Sequence, residues 1–341
     1  MNKLTYTFGT FIIVIMAFLL IIIFSDNNKS DITIDDYAKL VSGLNKNNLG
    51  SGRDILSEEE KDRPMAYGLI LSALAHHHRA TQYDIYTTEM RQCGNWLLSN
   101  SDLNGDNIGG FGLADAWDAF GDGSINPPHQ EYTITTAIAI KGLLDWLDAD
   151  TEAPQEKIKL TVSSLLRPYL SGNYNSPSGM YSYSLNVNDL GYNVFNPAAF
   201  LAGQMQRYSQ ITEDEKEIIQ NEADRIIRLL IRNHLLDHAN NWFWNYGQSS
   251  NRLERPNDLI HAIYIMEGIR EYSKYKGRES DKLIWPLIRG PLLRFSIIRD
   301  GVNILRKVIA ITRKCDYGLW ECFYISYLQR KICHPNIWRY F

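Results

Sequence analysis

The chain has 341 residues, 45% of them hydrophobic and 12% aromatic, with a formal net charge of −4. That is enough apolar material for one large core or two small ones. The slight acidity excludes a nucleic-acid binder that works through overall positive charge. Four cysteines, none in a CxxC pair, argue against a zinc ribbon or thiol-redox site.

In chain order, the first feature is an apolar run from Phe8 to Phe24, preceded by Lys3 and followed by a polar stretch. About 17 residues is the lower limit for a membrane-spanning helix. The run ends without the small-residue site of a cleaved signal. It therefore predicts an N-terminal signal anchor with a short linker over 1–30, and the bulk of the chain, 31–341, on the extracytoplasmic side as one domain.

Beyond it, five apolar segments each follow a polar, aromatic-rich loop. They begin at Pro64, Glu131, Asn196, Asn257 and Tyr317, roughly 60 to 67 residues apart. Between them lie outer-helix candidates over 34–46, 84–99, 155–170 and 281–310, and the segment EDEKEIIQNEADRIIRLLIRN. In that segment Ile218, Ile219, Ile226, Leu229 and Leu230 form a stripe at helical spacing. SGMYSYSLNV reads as a short hairpin arm. Apolar inner helices alternating with amphipathic outer ones predict an all-α fold, an α/α toroid of five to six helical hairpins, with the pre-helix loops meeting at one mouth.

The loop from Ser101 to Thr135 is long and glycine-rich, which suggests function. Asp102, Asn104 and Asp106 place oxygens at alternating positions, the spacing that wraps calcium in EF-hand-type loops, although Asn107 stands where the glycine belongs. A structural calcium and a metal-free Asx-rich turn both fit; no cofactor is required. Further on, Trp117, Asp118, Asp122, His129, Glu131 and Tyr132 crowd together before an inner helix. Paired carboxylates there would suit glycoside hydrolysis, one as acid and one as base or nucleophile.

A second loop mixes Tyr181, Tyr183 and Tyr192 with Asn193 and other asparagines, flat faces beside hydrogen-bonding groups that match sugar hydroxyls. In a third, Trp242, Trp244 and Tyr246 alternate, so an extended segment puts them on one face. Arg252 and Arg255 follow, a pairing that suits an anionic sugar. Asp258 lies one helical turn before His261 and can orient its imidazole. The run His76-His77-His78 cannot chelate one ion, because neighbours on a helix point about 100° apart. Cys93 reads as a buried small hydrophobe, while Cys315, Cys322 and Cys333 cluster in a basic C-terminal stretch.

Through WDAFGDGSINPPHQEYTITTAIAIKGLLDWL, YNVFNPAAFLAGQ and WFWNYGQSSNRLERPNDLIHAIYIMEGI, the chain resembles the α/α-toroid carbohydrate-active proteins. These include polysaccharide lyases, unsaturated-glucuronyl hydrolases and the C-terminal domain of glucuronyl C5-epimerases. The resemblance implies a polysaccharide or oligosaccharide partner in the cell envelope or a capsule, with uronic-acid-containing glycans among the candidates, and either an enzyme or a non-catalytic export factor. Asp118, Asp122, His129, Glu131, Tyr183, Tyr192 and His261 are the candidate catalytic groups. Trp117, Tyr132, Tyr181, Asn193, Trp242, Trp244, Tyr246, Arg255 and Asp258 are the candidate sugar contacts.

Overall fold

A computed structural model describes residues 48–53, 59–236, 242–249, 252–257 and 259–276. The expected anchor, the outer helices over 34–46 and 281–310, the inner helix from Tyr317 and the three C-terminal cysteines lie outside the described residues. Among the described residues no helix is long and apolar enough to cross a membrane.

The described residues form seven α-helices: α1 Pro64–Thr81, α2 Thr87–Ser99, α3 Thr133–Ala149, α4 Gln155–Leu170, α5 Phe195–Tyr208, α6 Lys216–Arg232 and α7 Leu259–Lys276. Four of the five expected inner segments are thus helices, in register with the sequence repeat. α1, α3, α5 and α7 pack side by side in that order, and α2, α4 and α6 return on the outside. This inner–outer alternation is the predicted toroid.

Inner and outer helices differ because their surroundings differ. α3 is buried at every position from Thr133 to Trp146, as a helix covered on all sides must be. α6 buries one stripe, Ile219, Ala223, Ile226, Ile227 and Leu230. Ile218, expected in that stripe, is exposed, and Ile227 takes its place. At about 100° per residue Ile218 falls on the opposite side of Ile219 from Ala223 and Ile227, off the buried face. Cys93 is buried in α2 as expected.

Neighbouring inner helices approach through glycine. A Cβ on Gly142 would stand 2.6 Å from the Gly68 carbonyl oxygen, and one on Gly268 would stand 2.1 Å from that of Ala199. The α1/α3 and α5/α7 contacts therefore require a bare backbone at these positions.

Among the described residues strands are few and short. β1 Ser51–Arg53 pairs with β2 Glu60–Asp62. β3 Asn193–Val194 joins β6 Asn245–Ser249 and β7 Arg252–Pro256 in a three-stranded sheet, and β4 Leu235–Leu236 pairs with β5 Trp242–Phe243. SGMYSYSLNV is one arm of a tight hairpin, as expected: Tyr181 bridges antiparallel to Asn175, the Ser176 amide donates to the Met180 carbonyl at 2.7 Å and the Ser182 amide to the Tyr174 carbonyl at 2.9 Å. Its Ser184 bridges onward to Tyr132 at the entry to α3.

Candidate active site at the mouth of the toroid

The entry to α3 is an extended segment paired on both sides. The Tyr132 amide donates to the Phe111 carbonyl at 2.9 Å, the Thr133 amide to the Tyr183 carbonyl at 3.0 Å, and the Leu185 amide to the Glu131 carbonyl at 2.9 Å. Alternate side chains on such a segment face opposite ways. Glu131 and Tyr132, adjacent in sequence, are thereby sent into different surroundings.

On the Tyr132 side an aromatic cluster assembles. The ring centroid of Tyr132 lies 5.3 Å from that of Tyr183, edge to face. Phe120 stacks on Tyr192 at 3.8 Å and lies 5.4 Å from Tyr183. The side chain of Tyr246 hydrogen-bonds Tyr183, and its ring meets His261 edge-on at 4.6 Å. Tyr264 completes the line, 6.3 Å from His261. The contributors come from the loops before α3 and α5, from β6 and from the first turns of α7, so three inner helices meet here. Burial pushes the Tyr132 hydroxyl up to about 12, with the Asp189 and Asp118 charges adding to the shift and the Asn126 amide opposing it. Burial likewise raises the Tyr183 hydroxyl.

The carboxylates of the first loop have other duties. Asp118 Oδ1 accepts the amides of Gly121 at 2.7 Å, Asp122 at 3.2 Å and Phe120 at 3.3 Å, and Oδ2 accepts Gly123 at 2.8 Å. It holds the turn that presents Phe120. Asp122 is exposed and accepts both the amide and the hydroxyl of Ser124. His129 adopts a left-handed backbone with φ of +64°, donates its amide to Leu113 at 2.7 Å, and buries Nδ1 without a hydrogen bond. Trp117 exchanges two backbone hydrogen bonds of 2.9 Å with Asn126.

Glu131 faces away from the aromatic cluster. It is 1% exposed and packs under the Asp102–Asp106 turn, so close that a Cβ on Gly110 would lie 2.3 Å from its Cγ. Burial pushes its carboxyl up to about 7, reinforced by Asp106 and Asp102 and opposed by hydrogen bonds from its own backbone and from Asn104. Gln130 donates to Oε2 at 2.8 Å. In the turn itself, Asp102 accepts the amides of Gly105 and Asn107, and Asp106 accepts that of Ile108. The oxygen-only donor set suits a hard cation, but these carboxylates are engaged with amides of their own turn. Among the described residues, no cluster of three or more His, Cys, Asp or Glu side chains could hold a metal ion.

Three expected sugar contacts lie elsewhere. Tyr181 is fully buried, its hydroxyl 3.0 Å from Glu222 on α6 and its ring beneath Arg225. Trp244 is 5% exposed and donates its indole N–H to the Leu230 carbonyl at 2.9 Å. It therefore serves the end of α6, while Tyr246, two residues on, serves the mouth. Asn193 Oδ1 accepts the hydroxyls of Ser176 and Ser178. Asp258 and the side chains of Trp242, Arg252 and Arg255 lie outside what the structure describes. Phe120, Tyr264, Asn126 and Asp189 join the mouth without having stood out in the sequence. Of these, Phe120 carries a signal, an isolated aromatic in a polar glycine-rich turn.

No protein-family model matches the chain, and a search of curated proteins finds no match. Solved structures do match. One is a GH76 alpha-mannanase from Bacteroides thetaiotaomicron, with a TM-score of 0.54 and 12% identity, covering 84% of this chain and 79% of that one. Another is a cellobiose 2-epimerase from Bacillus thermoamylovorans, with a TM-score of 0.53 and 12% identity, covering 88% of this chain and 84% of that one. Both neighbours are α/α-toroid carbohydrate-active enzymes. At this identity the likeness is one of fold, and with the alternating inner and outer helices it makes this chain an α/α toroid.

Proposed function

We propose that the protein is a carbohydrate-active enzyme whose site is the aromatic mouth formed by Tyr183, Tyr192, Phe120, Tyr246 and His261, with the buried Tyr132 behind it. The observation that carries this reading is their convergence at the entrances to α3, α5 and α7. Flat rings stack on the C–H faces of sugars, and phenol and imidazole groups serve proton transfer. The fold shared with a mannanase and a sugar epimerase supports it.

The arrangement favours proton transfer by His261 and Tyr183 over hydrolysis by a carboxylate pair. Among the described residues, Asp118 is occupied by four amides of its own loop, and Glu131 lies on the far face of its strand. Two carboxyl groups flanking a glycosidic bond, as hydrolysis requires, are not gathered by these side chains. His261 acts as the base. Tyr183, a phenol protonated at neutral pH, acts as the acid, with Tyr246 orienting it. The reading uses no metal or cofactor.

Placement outside the cytoplasm, tethered by residues 8–24, belongs to the proposal and rests on the apolar run alone; resistance of the full-length chain to alkaline extraction from membranes tests it. Specificity for uronic acids rests on Arg252 and Arg255 and is settled by the choice of glycans in the assay.

The test incubates the full-length protein with neutral and acidic polysaccharides. New reducing ends report hydrolysis, ultraviolet absorbance of an unsaturated product reports a lyase, and solvent deuterium in recovered sugar reports an epimerase. His261→Ala and Tyr183→Phe each lower turnover by about 100-fold or more, the scale of a lost acid or base, while binding persists. Turnover unchanged in both variants removes them from the chemistry. Glycan binding without any turnover makes the protein a binding factor, and absence of binding ends the saccharide reading.

A further inference from the structure

Beneath the aromatic mouth lies a closed polar node. Asn126, in the loop before α3, is fully buried, and Asp189, in the loop before α5, is 1% exposed. Asn126 Nδ2 donates to Asp189 Oδ2 at 2.8 Å and to the Tyr132 hydroxyl at 3.1 Å. The buried Ser184 hydroxyl donates to the same Asp189 oxygen. Asp189 Oδ1 and Asn126 Oδ1 are buried, and among the described residues nothing donates to them. Among the described residues, no Lys, Arg or His forms an ion pair with Asp189.

Such a node is a poor device for stability. A buried carboxylate held by neutral donors alone, with acceptors left over, carries a desolvation cost that an apolar contact would avoid. What it achieves is connection. Trp117 is tied to Asn126 by two backbone hydrogen bonds, so the node fixes both ends of the 117–126 loop that carries Phe120. Asp189 is the last residue of a short 3-10 turn, Val187–Asp189, and the Tyr192 amide donates to its carbonyl at 3.1 Å. Phe120 from one loop and Tyr192 from the other are the rings that stack above it. Ile125 and Val187 stand exposed beside the node, so it lies just under the rim.

We propose that Asp189 is the positioning residue of the mouth: through Asn126 and Ser184 it locks the 117–126 and 184–192 loops together and sets the wall made by Phe120, Tyr192, Tyr132 and Tyr183. That the wall binds glycan rests on the function proposed above; the coupling of the two loops does not. Asp189 touches no reacting atom and acts through Asn126, Ser184 and Tyr132.

Hydrogen exchange on the full-length protein decides the coupling. Asp189→Ala raises exchange about tenfold, as expected of a local opening made easier, in peptides covering both 113–126 and 184–192, and leaves α4 and α6 unchanged. Asn126→Ala gives the same pattern, and the double variant adds nothing further, as for two members of one unit. Asp189→Asn restores protection, because its amide oxygen still accepts from Asn126 and Ser184. On a glycan that the wild type turns over, Asp189→Ala raises KM more than it lowers kcat, and Asp189→Asn recovers both. Exchange confined to 184–192, additive effects in the double variant, or Asp189→Asn as damaging as Asp189→Ala each overturns the proposal. If the wild type turns over no glycan, the functional reading fails while the exchange pattern still decides this one.

Discussion

The two ends of the inner helices carry polar groups of opposite design. Toward their C-termini, Asp145 of α3 is almost fully buried. It receives Lys141 at 2.6 Å and Arg207 of α5 at 2.7 Å, and it hydrogen-bonds Ser72 of α1 and meets His76 at 3.4 Å. Arg207 also pairs with Asp148 at 2.7 Å. Burial alone would raise the Asp145 carboxyl, but these cations hold it well below the usual carboxylate range. At the mouth the opposite holds. Burial raises Glu131, nearby carboxylates add to the shift, and among the described residues Asp189 has neutral donors alone. Buried polarity therefore does not mark a functional site. The base is compensated and joins α1, α3 and α5, whereas the mouth keeps groups whose cost the fold does not recover through pairing.

The largest effect expected from this contrast is at the base. Arg207→Ala strands Asp145 among fewer partners and lowers unfolding free energy by about 3–5 kcal/mol, the usual result of breaking a buried pair. Denaturant unfolding measures it. A loss no larger than that of His261→Ala would erase the distinction between a structural end and a functional end.

Next comes the spacing that both ends depend on. Gly268→Ala forces a methyl group against the Ala199 carbonyl and costs roughly 1–3 kcal/mol as an overpacked contact. Because α5 and α7 must then part, the Tyr246–His261 contact weakens as well. Thermal melting and turnover fall together. A fall in melting temperature with turnover intact would separate helix spacing from the mouth.

A third effect concerns pH. The Glu131 carboxyl has its folded value raised from 4.5 to about 7. The unfolded chain ionises first, so the stability Glu131 contributes is complete below about 4.5 and is lost as pH rises through 7. Glu131→Gln, which cannot ionise, flattens that part of the stability profile. A wild-type profile already flat between those limits would show that Glu131 is not held neutral.

Much of the fold was legible because helices advertise their surroundings. The run TITTAIAIKGLL has no polar face, so it needed cover on every side, and α3 has it. Ile218 shows the limit: isoleucines and leucines lie on both flanks of the apolar sector of α6, and packing against the core decides that the Ile227 flank is covered and the Ile218 flank is not. The candidate site was legible in its loops and its aromatic content, but not in its membership. Tyr183 and Tyr181, or Tyr246 and Trp244, are equivalent in type and spacing. One of each pair joins the mouth and the other joins the core.

The sequence by itself determined the repeat, the alternation of inner and outer helices, and the loops that carry tyrosine, asparagine and aspartate, since these follow from local periodicity and composition. Only the tertiary structure decided which way each side chain of an extended segment points. The pairing of residues 131–133 with the backbone at Phe111 and at Tyr183 and Leu185 sends Glu131 under one loop and Tyr132 behind the mouth. A side-chain period of two turns every such choice into a matter of register, and register is fixed by partners distant in the chain.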